Sequence, residues 1–119
     1  MKVLVVDDNQ MVASIVQQIL EFAGYEVKLA LNEAEGFFTY LQFRPDLVIT
    51  DIQMAGKTGF DLMNRIREED ATVKTLYMSG NLDQFFYQLE KERNKYRVNS
   101  LQKPFSMEEL IGRVSELVH

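Results

Sequence analysis

Cysteine is absent from the 119 residues, and histidine occurs once, at the last position. Without cysteine, neither a disulfide framework nor a thiolate metal site can form. The single terminal imidazole argues against a catalytic histidine and against a histidine-based metal site. A basic excess is also missing, because 13 Lys and Arg face 18 Asp and Glu for a net charge of −5. This balance argues against a nucleic-acid footprint, so no direct nucleic-acid partner is expected.

Long apolar runs are missing as well. None approaches the roughly 20 residues that a membrane-spanning helix needs. The apolar start at residues 3–6 is too short for a signal peptide and leads directly into two acids. We therefore expect a cytoplasmic protein without a membrane partner. A composition of 46% hydrophobic and 26% charged residues suits one globular domain over residues 1–119.

Short apolar segments alternate with amphipathic ones along the whole chain. Strands are predicted at residues 3–6, 25–30, 47–50, 75–78 and 98–101. Helices are predicted between them and after the last strand, including one over residues 83–93. Alternation of this kind indicates an α/β fold with a parallel sheet, helices on both faces and right-handed crossovers. In such sheets, ligands bind outside the carboxyl ends of the strands.

Cap residues precede the predicted helices. Asp8 or Asn9 can cap the first helix, and Thr58 or Gly59 opens the third. Asn32 with Glu35 three residues later has the pattern of a capping box, as does the segment that begins at residue 106. These signals place the ends of the strands next to the starts of the helices, where the polar residues lie.

Acidic residues end two of the predicted strands. Asp7 and Asp8 follow the first strand, and Asp51 follows the third, which would lie beside the first. Carboxylates about 4 Å apart repel by roughly 4 kcal/mol at an effective dielectric near 20, so the site must take up protons or a cation. An oxygen-only set of ligands with room for water suits Mg²⁺. Asp7 and Asp8 alone would more simply cap a helix, but Asp51 at the same edge favours a metal site.

Three further polar groups end the remaining strands. Lys103 precedes Pro104, and its ammonium can neutralise Asp51 and later pair with a phosphoryl oxygen. Ser79 and Gly80 offer a hydroxyl and an amide to an anion, although alone they would be an ordinary turn. This set suits phosphoryl transfer to Asp51 as the nucleophile.

In this interpretation, Asp8 binds Mg²⁺ directly and Asp7 does so partly through water. Gln53 and Asn81 flank Asp51 and can orient a water, so we predict measurable self-dephosphorylation without turnover of an external substrate.

Four separated segments together resemble the receiver domain of bacterial two-component response regulators. They are Val5-Val6-Asp7-Asp8, residues 51–59 (DIQMAGKTG), Ser79-Gly80 and Lys103-Pro104-Phe105. The resemblance spans the chain and implies a flavodoxin-like five-stranded sheet of order 2-1-3-4-5 with five helices in three layers. It implies that Asp51 takes a phosphoryl group from a histidine kinase or histidine phosphotransfer protein. It also implies that the backbone carbonyl of Gln53 completes the metal site.

The resemblance further implies signalling to a downstream output domain or protein through helix 4, strand 5 and helix 5. Two positions depart from the family pattern. Ala55 stands where proline is usual, which loosens the loop, and Ser100 stands where an aromatic residue usually moves inward on phosphorylation. We therefore hypothesise that output runs through an atypical fourth helix. The aromatic residues that would serve it are Phe85, Phe86, Tyr87 and Tyr96.

Three other functions compete with this interpretation. A pseudo-receiver would bind partners without phosphorylation, which the intact acidic set argues against and the missing aromatic favours. A flavin-binding protein of similar fold would need a phosphate-cradling loop after the first strand, where Asp7 and Asp8 would repel phosphate. A metal-dependent phosphatase with Asp51 as nucleophile generally needs a second acid two residues on, where this chain has Gln53.

Overall fold

The computed structural model describes all residues 1–119. The strands are β1 (Lys2–Val6), β2 (Glu26–Ala30), β3 (Leu47–Asp51), β4 (Lys74–Ser79) and β5 (Val98–Gln102). The helices are α1 (Gln10–Phe22), α2 (Glu33–Phe43), α3 (Gly59–Glu69), α4 (Phe86–Lys95) and α5 (Met107–Val118). A short 3₁₀ turn, Leu82–Phe85, precedes α4. The helices are too short and too polar for any of them to cross a bilayer.

The five strands form one parallel sheet of order β2-β1-β3-β4-β5. The predicted fold class and strand order are therefore confirmed. The central strands β1 and β3 carry apolar residues on both faces because helices cover both sides of the sheet. The edge strand β2 alternates between buried and exposed positions, which explains its more polar sequence.

Two apolar layers enclose the sheet. Helices α1 and α5 pack on one face around residues such as Val16, Leu20 and Leu110. Helices α2, α3 and α4 cover the other face, with the rings of Tyr40 and Tyr77 fully buried among aliphatic side chains. This three-layer arrangement leaves the carboxyl ends of the strands open at one edge.

Side-chain caps fix where the helices begin. The Asn9 side chain accepts from the Val12 N–H and caps α1. Thr58 and Asp61 form a reciprocal capping box at α3, and Ser106 with Glu109 does so at α5. The predicted box at α2 is only half formed. Asn32 accepts from the Glu35 N–H, but the Glu35 carboxylate accepts from the N–H of residue 31 instead.

The helix predicted over residues 83–93 begins later and ends later than expected. The chain first makes the 3₁₀ turn, which places Phe85 in the core, and α4 then runs to Lys95. The amide of Leu82 donates to the Gln102 side chain on the neighbouring strand at 3.3 Å. This tertiary bond anchors the turn, and the local sequence pattern carries no sign of it.

Gly59 touches the backbone of the central strand. A Cβ built on it would lie 2.5 Å from the Asp51 carbonyl oxygen, closer than van der Waals contact allows. We expect Gly59→Ala to lower the free energy of unfolding by about 1–3 kcal/mol, because strand or helix must shift. Gly112→Ala is the control, since open space surrounds that α5 position, and it should stabilise by roughly 0.5–1 kcal/mol. Urea unfolding of both variants checks this, and equal effects would contradict it.

Candidate functional site

The carboxyl ends of β1, β3, β4 and β5 converge at one edge of the sheet. Val6 pairs with Thr50, Asp51 with Met78, and Ser79 with Gln102. This register brings the residues that follow β1 and β5 to the same level as the last residues of β3 and β4. The side chains singled out from the sequence are therefore close neighbours.

Three carboxylates form a cluster at this edge. Asp7 is fully buried, Asp51 is buried and Asp8 is exposed, and one oxygen of each lies within 4.8 Å of the others. Carboxylate oxygens are hard ligands, and a partly exposed set of three with access to water fits Mg²⁺. The residues present therefore fit the metal that the sequence predicts.

Lys103 bridges two of these acids. Its Nζ donates to Asp7 Oδ2 at 2.8 Å and to Asp51 Oδ2 at 3.3 Å. The shorter bond goes to Asp7, whereas the sequence predicts a pairing of Lys103 with Asp51. Asp7 Oδ1 also accepts from the Asn9 N–H at 2.9 Å, so both Asp7 oxygens are engaged.

Burial and charge shift proton affinities in the cluster. Burial raises the pKa of Asp51, the Lys103 ammonium opposes that rise, and the nearby Asp7 charge adds to it. Burial alone would lower the pKa of Lys103, but the hydrogen bond to Asp7 and the charges of Asp51 and Asp7 outweigh it and raise that pKa. One ammonium thus faces three carboxyl groups, and the site favours a further cation.

Ser79 and Gly80 lie at the end of β4. Ser79 is fully buried, and its Oγ accepts from the Asn81 N–H at 2.9 Å. That bond uses an oxygen lone pair and leaves the hydroxyl proton for another acceptor. The Asn81 side chain, predicted to flank Asp51, instead donates to Gln84 Oε1 at 3.2 Å.

Gln102 lies next to the site, although no motif in the sequence indicates a role for it. Its Nε2 donates to the carbonyl oxygens of Gly80 at 2.7 Å and of Lys103 at 3.1 Å, and its Oε1 accepts from the Leu82 N–H. One side chain thus ties the turn after β4 to the turn after β5. Its position directly before Lys103 was the sequence feature that could have indicated this role. A glutamine at a strand end can make many different hydrogen bonds, however, so that position alone does not predict these.

The loop after β3 makes two contacts that the sequence does not indicate. The Ala55 N–H donates to Asp8 Oδ2 at 3.2 Å, and Gln53 pairs with Thr58 in an isolated bridge. A proline at position 55 would have no N–H to donate. Ala55 therefore gives the loop a hydrogen bond to the acidic cluster that proline could not make, and the expectation that it loosens the loop stays a prediction.

The aromatic residues proposed for the fourth helix occupy different environments. Phe85 is buried and its ring lies 6.0 Å from Phe60. Phe86 and Tyr87 are exposed and pack against each other at 5.8 Å. Tyr96 stacks on the Arg67 guanidinium at 3.9 Å. Phe85 is therefore a core residue, Phe86 and Tyr87 face solvent, and Tyr96 packs on Arg67.

Comparison with known proteins agrees with this geometry. A sequence model of the family described as "Response regulator receiver domain" matches residues 3–115. The transcriptional regulator RpaA of Synechocystis is 29% identical over 121 residues, which cover 98% of this chain and 48% of RpaA. The regulator NtrC of Bradyrhizobium is 36% identical over 109 residues, covering 92% of this chain and 22% of NtrC. The chain thus spans half or less of these relatives.

A solved structure gives the same result for the fold. The response regulator TrrA of Thermotoga maritima, crystallised in complex with Mg²⁺ and BeF, superposes with a TM-score of 0.84 at 27% identity. The match covers 98% of this chain and 97% of that one.

Proposed function

Since this chain belongs to the receiver-domain family of response regulators, we propose that it accepts a phosphoryl group on Asp51 in an Mg²⁺-dependent reaction. The donor is a phosphohistidine of a histidine kinase or of a histidine phosphotransfer protein. The observation that supports this most is the meeting of Asp7, Asp8, Asp51 and Lys103 at one strand edge.

Each residue has a defined part in the transfer. An Asp51 carboxylate oxygen attacks phosphorus, a P–O bond forms, and the P–N bond to the donor imidazole breaks. Lys103, already within 3.3 Å of Asp51, holds a phosphoryl oxygen. The Ser79 hydroxyl and the Gly80 amide donate to the other oxygens.

Bound Mg²⁺ supplies charge neutralisation between the carboxylates and the incoming phosphoryl group. Its ligands in this proposal are Asp7, Asp8, Asp51 and the backbone carbonyl of Gln53. Asp8 contributes most directly, because its exposed carboxylate accepts one hydrogen bond, from the Ala55 N–H, and keeps its other oxygen free.

Signalling to a partner completes the proposed function. The matched relatives RpaA and NtrC are named as DNA-binding transcriptional regulators, and this chain spans only part of each. We therefore propose that phosphorylation changes binding to an output domain or protein through α4, β5 and α5. Water attack on the acyl phosphate then returns the chain to its starting state.

Beryllofluoride distinguishes this function from that of a pseudo-receiver. It mimics a phosphoryl group on a carboxylate and should bind only when Mg²⁺ is present. Fluorine NMR should show bound signals in the wild type with Mg²⁺ and none after chelation. Beryllofluoride binding that does not depend on Mg²⁺, or no beryllofluoride binding at all, would favour phosphorylation-independent partner recognition.

Gln102 offers a test of how the turn at Ser79 and Gly80, which is proposed to bind the anion, is held in place. Gln102→Ala removes the hydrogen bonds to the Gly80 and Lys103 carbonyls and the one from the Leu82 N–H, so the Gly80 amide loses its fixed direction. We expect beryllofluoride affinity to fall by about threefold to tenfold, the range expected for one or two hydrogen bonds. Mg²⁺ affinity should be unchanged, because the acids are untouched. Gln88→Ala, on the exposed side of α4, is the control.

A further inference from the structure

Helix α4 has an unusually small apolar anchor. Leu89 is the one residue of the helix that is buried, and most of its other side chains are exposed. Helices in small domains are stabilised mainly by packing of an apolar face. Something besides apolar packing must therefore hold α4 against the sheet.

A buried polar network provides that attachment. Glu92 of α4 forms an ion pair with Arg67 of α3, and its Oε1 also accepts from the Tyr77 hydroxyl of β4 at 2.6 Å. The Arg67 side chain is 4% exposed and that of Glu92 is 12% exposed. Arg67 donates further to Thr75 Oγ1 at 3.1 Å, while its Nε is buried without a partner.

The network begins close to the acidic cluster. Tyr77 precedes Ser79 by two residues, so both side chains lie on the same face of β4. Tyr77 pairs across the sheet with Ser100, whose hydroxyl accepts from Arg93 of α4 at 2.7 Å. The Tyr77 ring packs on Phe60 at 4.7 Å. A single strand therefore carries both Ser79 at its carboxyl end and the Tyr77 hydroxyl that bonds to Glu92 of α4.

We propose that Tyr77 and Glu92 are positioning residues that couple the end of β4 to α4. Their hydrogen bond holds α4 when Asp51 is free, and it breaks when an anion is held between Asp51 and Ser79. The proposal rests on the proposed function, because the anion is the phosphoryl group or its mimic.

Because Ser79 and Tyr77 lie on the same strand, an anion that contacts Ser79 can act on the bond between Tyr77 and Glu92. Ser79 makes no bond to Asp51 in the free protein, and its Oγ is engaged by the Asn81 N–H. In the proposed coupling, an anion on Asp51 draws the Ser79 hydroxyl toward itself, and the resulting shift of the end of β4 carries the Tyr77 hydroxyl away from Glu92. A buried ion pair with an imperfectly satisfied arginine is sensitive to the loss of one bond. Coupling is reciprocal, so weakening the Tyr77 bond must favour anion binding.

Tyr77→Phe is the direct test, because it removes the hydroxyl and keeps the ring on Phe60. Amide hydrogen exchange of residues 86–95 and the affinity for beryllofluoride with Mg²⁺ are measured in the same samples. In the wild type, beryllofluoride should speed exchange in this segment. In Tyr77→Phe, exchange should already be about tenfold faster without ligand, the size expected for a lost bond to a charged acceptor. The further effect of ligand should then be lost.

The affinity for beryllofluoride distinguishes coupling between Tyr77 and the anion site from a simple loss of protein stability. Tyr77→Phe should bind beryllofluoride about fivefold more tightly than the wild type, because the competing bond is gone. A variant that is merely less stable would bind equally or more weakly, and that result would overturn the proposal. Tyr87→Phe is the matched control, since that tyrosine of α4 is 80% exposed and should behave as the wild type does.

A glutamate pair gives a second comparison on the same helix. Glu92→Gln should reproduce the faster exchange and the tighter binding, whereas Glu90→Gln, which breaks only an exposed pair with Arg93, should not. Absence of beryllofluoride binding by the wild type would overturn the proposed function and the coupling together. Binding with unchanged exchange in residues 86–95 would overturn the coupling alone.

Discussion

Asp51→Asn should abolish phosphorylation by acetyl phosphate and Mg²⁺, while the wild type gains the mass of one phosphoryl group. The asparagine amide has the shape of the carboxylate but is a very poor nucleophile, so no P–O bond forms. The other carboxylates at this edge are poorly placed to replace it. Both Asp7 oxygens are engaged by Lys103 and Asn9, and Asp8 is exposed at the rim. Intact-mass spectrometry of the two proteins, incubated side by side, gives the answer.

Folding controls separate lost chemistry from lost structure. The substitution removes one negative charge from a crowded cluster, so the melting temperature should be equal to or higher than that of the wild type. Asp83→Asn, an exposed acid outside the cluster, should be phosphorylated normally. Equal phosphorylation of wild type and Asp51→Asn would place the acceptor elsewhere.

Asp8→Asn should have the next largest effect, on metal binding. Asp8 is the exposed acid of the cluster, and its one hydrogen bond within the protein is from the Ala55 amide, which leaves one oxygen for a cation. Loss of groups that only orient a metal ligand already costs about 10–100-fold in affinity, so loss of a ligand should cost at least that. Calorimetric titration with Mg²⁺ alone measures the change without any phosphodonor.

A charge-matched variant keeps this result interpretable. Glu68→Gln also changes the net charge by one, but it lies on the exposed side of α3, away from the acidic cluster. It should bind Mg²⁺ as the wild type does. If both variants lose affinity equally, Mg²⁺ is responding to overall charge, and the assignment of Asp8 as a ligand is wrong.

Sequence patterns were sufficient to predict the sheet. The β-branched runs of β1 and β3 are typical of strands buried on both faces, and the alternation of strands with helices then fixes a parallel arrangement. Because the polar residues follow the strands directly, their convergence at one edge was also predictable. The resemblance to receiver domains supplied the strand order, and it alone supplies the proposed role of the Gln53 carbonyl.

Contacts made by long side chains were not predictable. Lys103 reaches Asp7 more closely than Asp51, and Gln102 bridges two turns that are far apart in sequence. The ion pair of Arg67 with Glu92 joins two helices through a register that only the packed structure defines. Arg67 lies in a charged run over residues 65–70, and nothing in that local pattern indicates burial.

The start of α4 shows the same limit at the level of the backbone. Its local sequence predicts a helix from residue 83, but the tertiary bond from Leu82 to Gln102 favours a 3₁₀ turn first. Position 100 is a related case. The resemblance implies an aromatic residue where Ser100 stands, and only the structure shows that the buried Tyr77 pairs with Ser100 on the adjacent strand and bonds to Glu92 of α4.

A crystal structure of the chain with Mg²⁺ and beryllofluoride tests the central claim most directly. Beryllium should be bonded to an Asp51 carboxylate oxygen, with fluorines contacting Lys103 and Ser79 and Mg²⁺ among the three acids. Beryllofluoride bound elsewhere, or acids and Lys103 that keep their present contacts with neither ion between them, would contradict the proposed phosphoacceptor site.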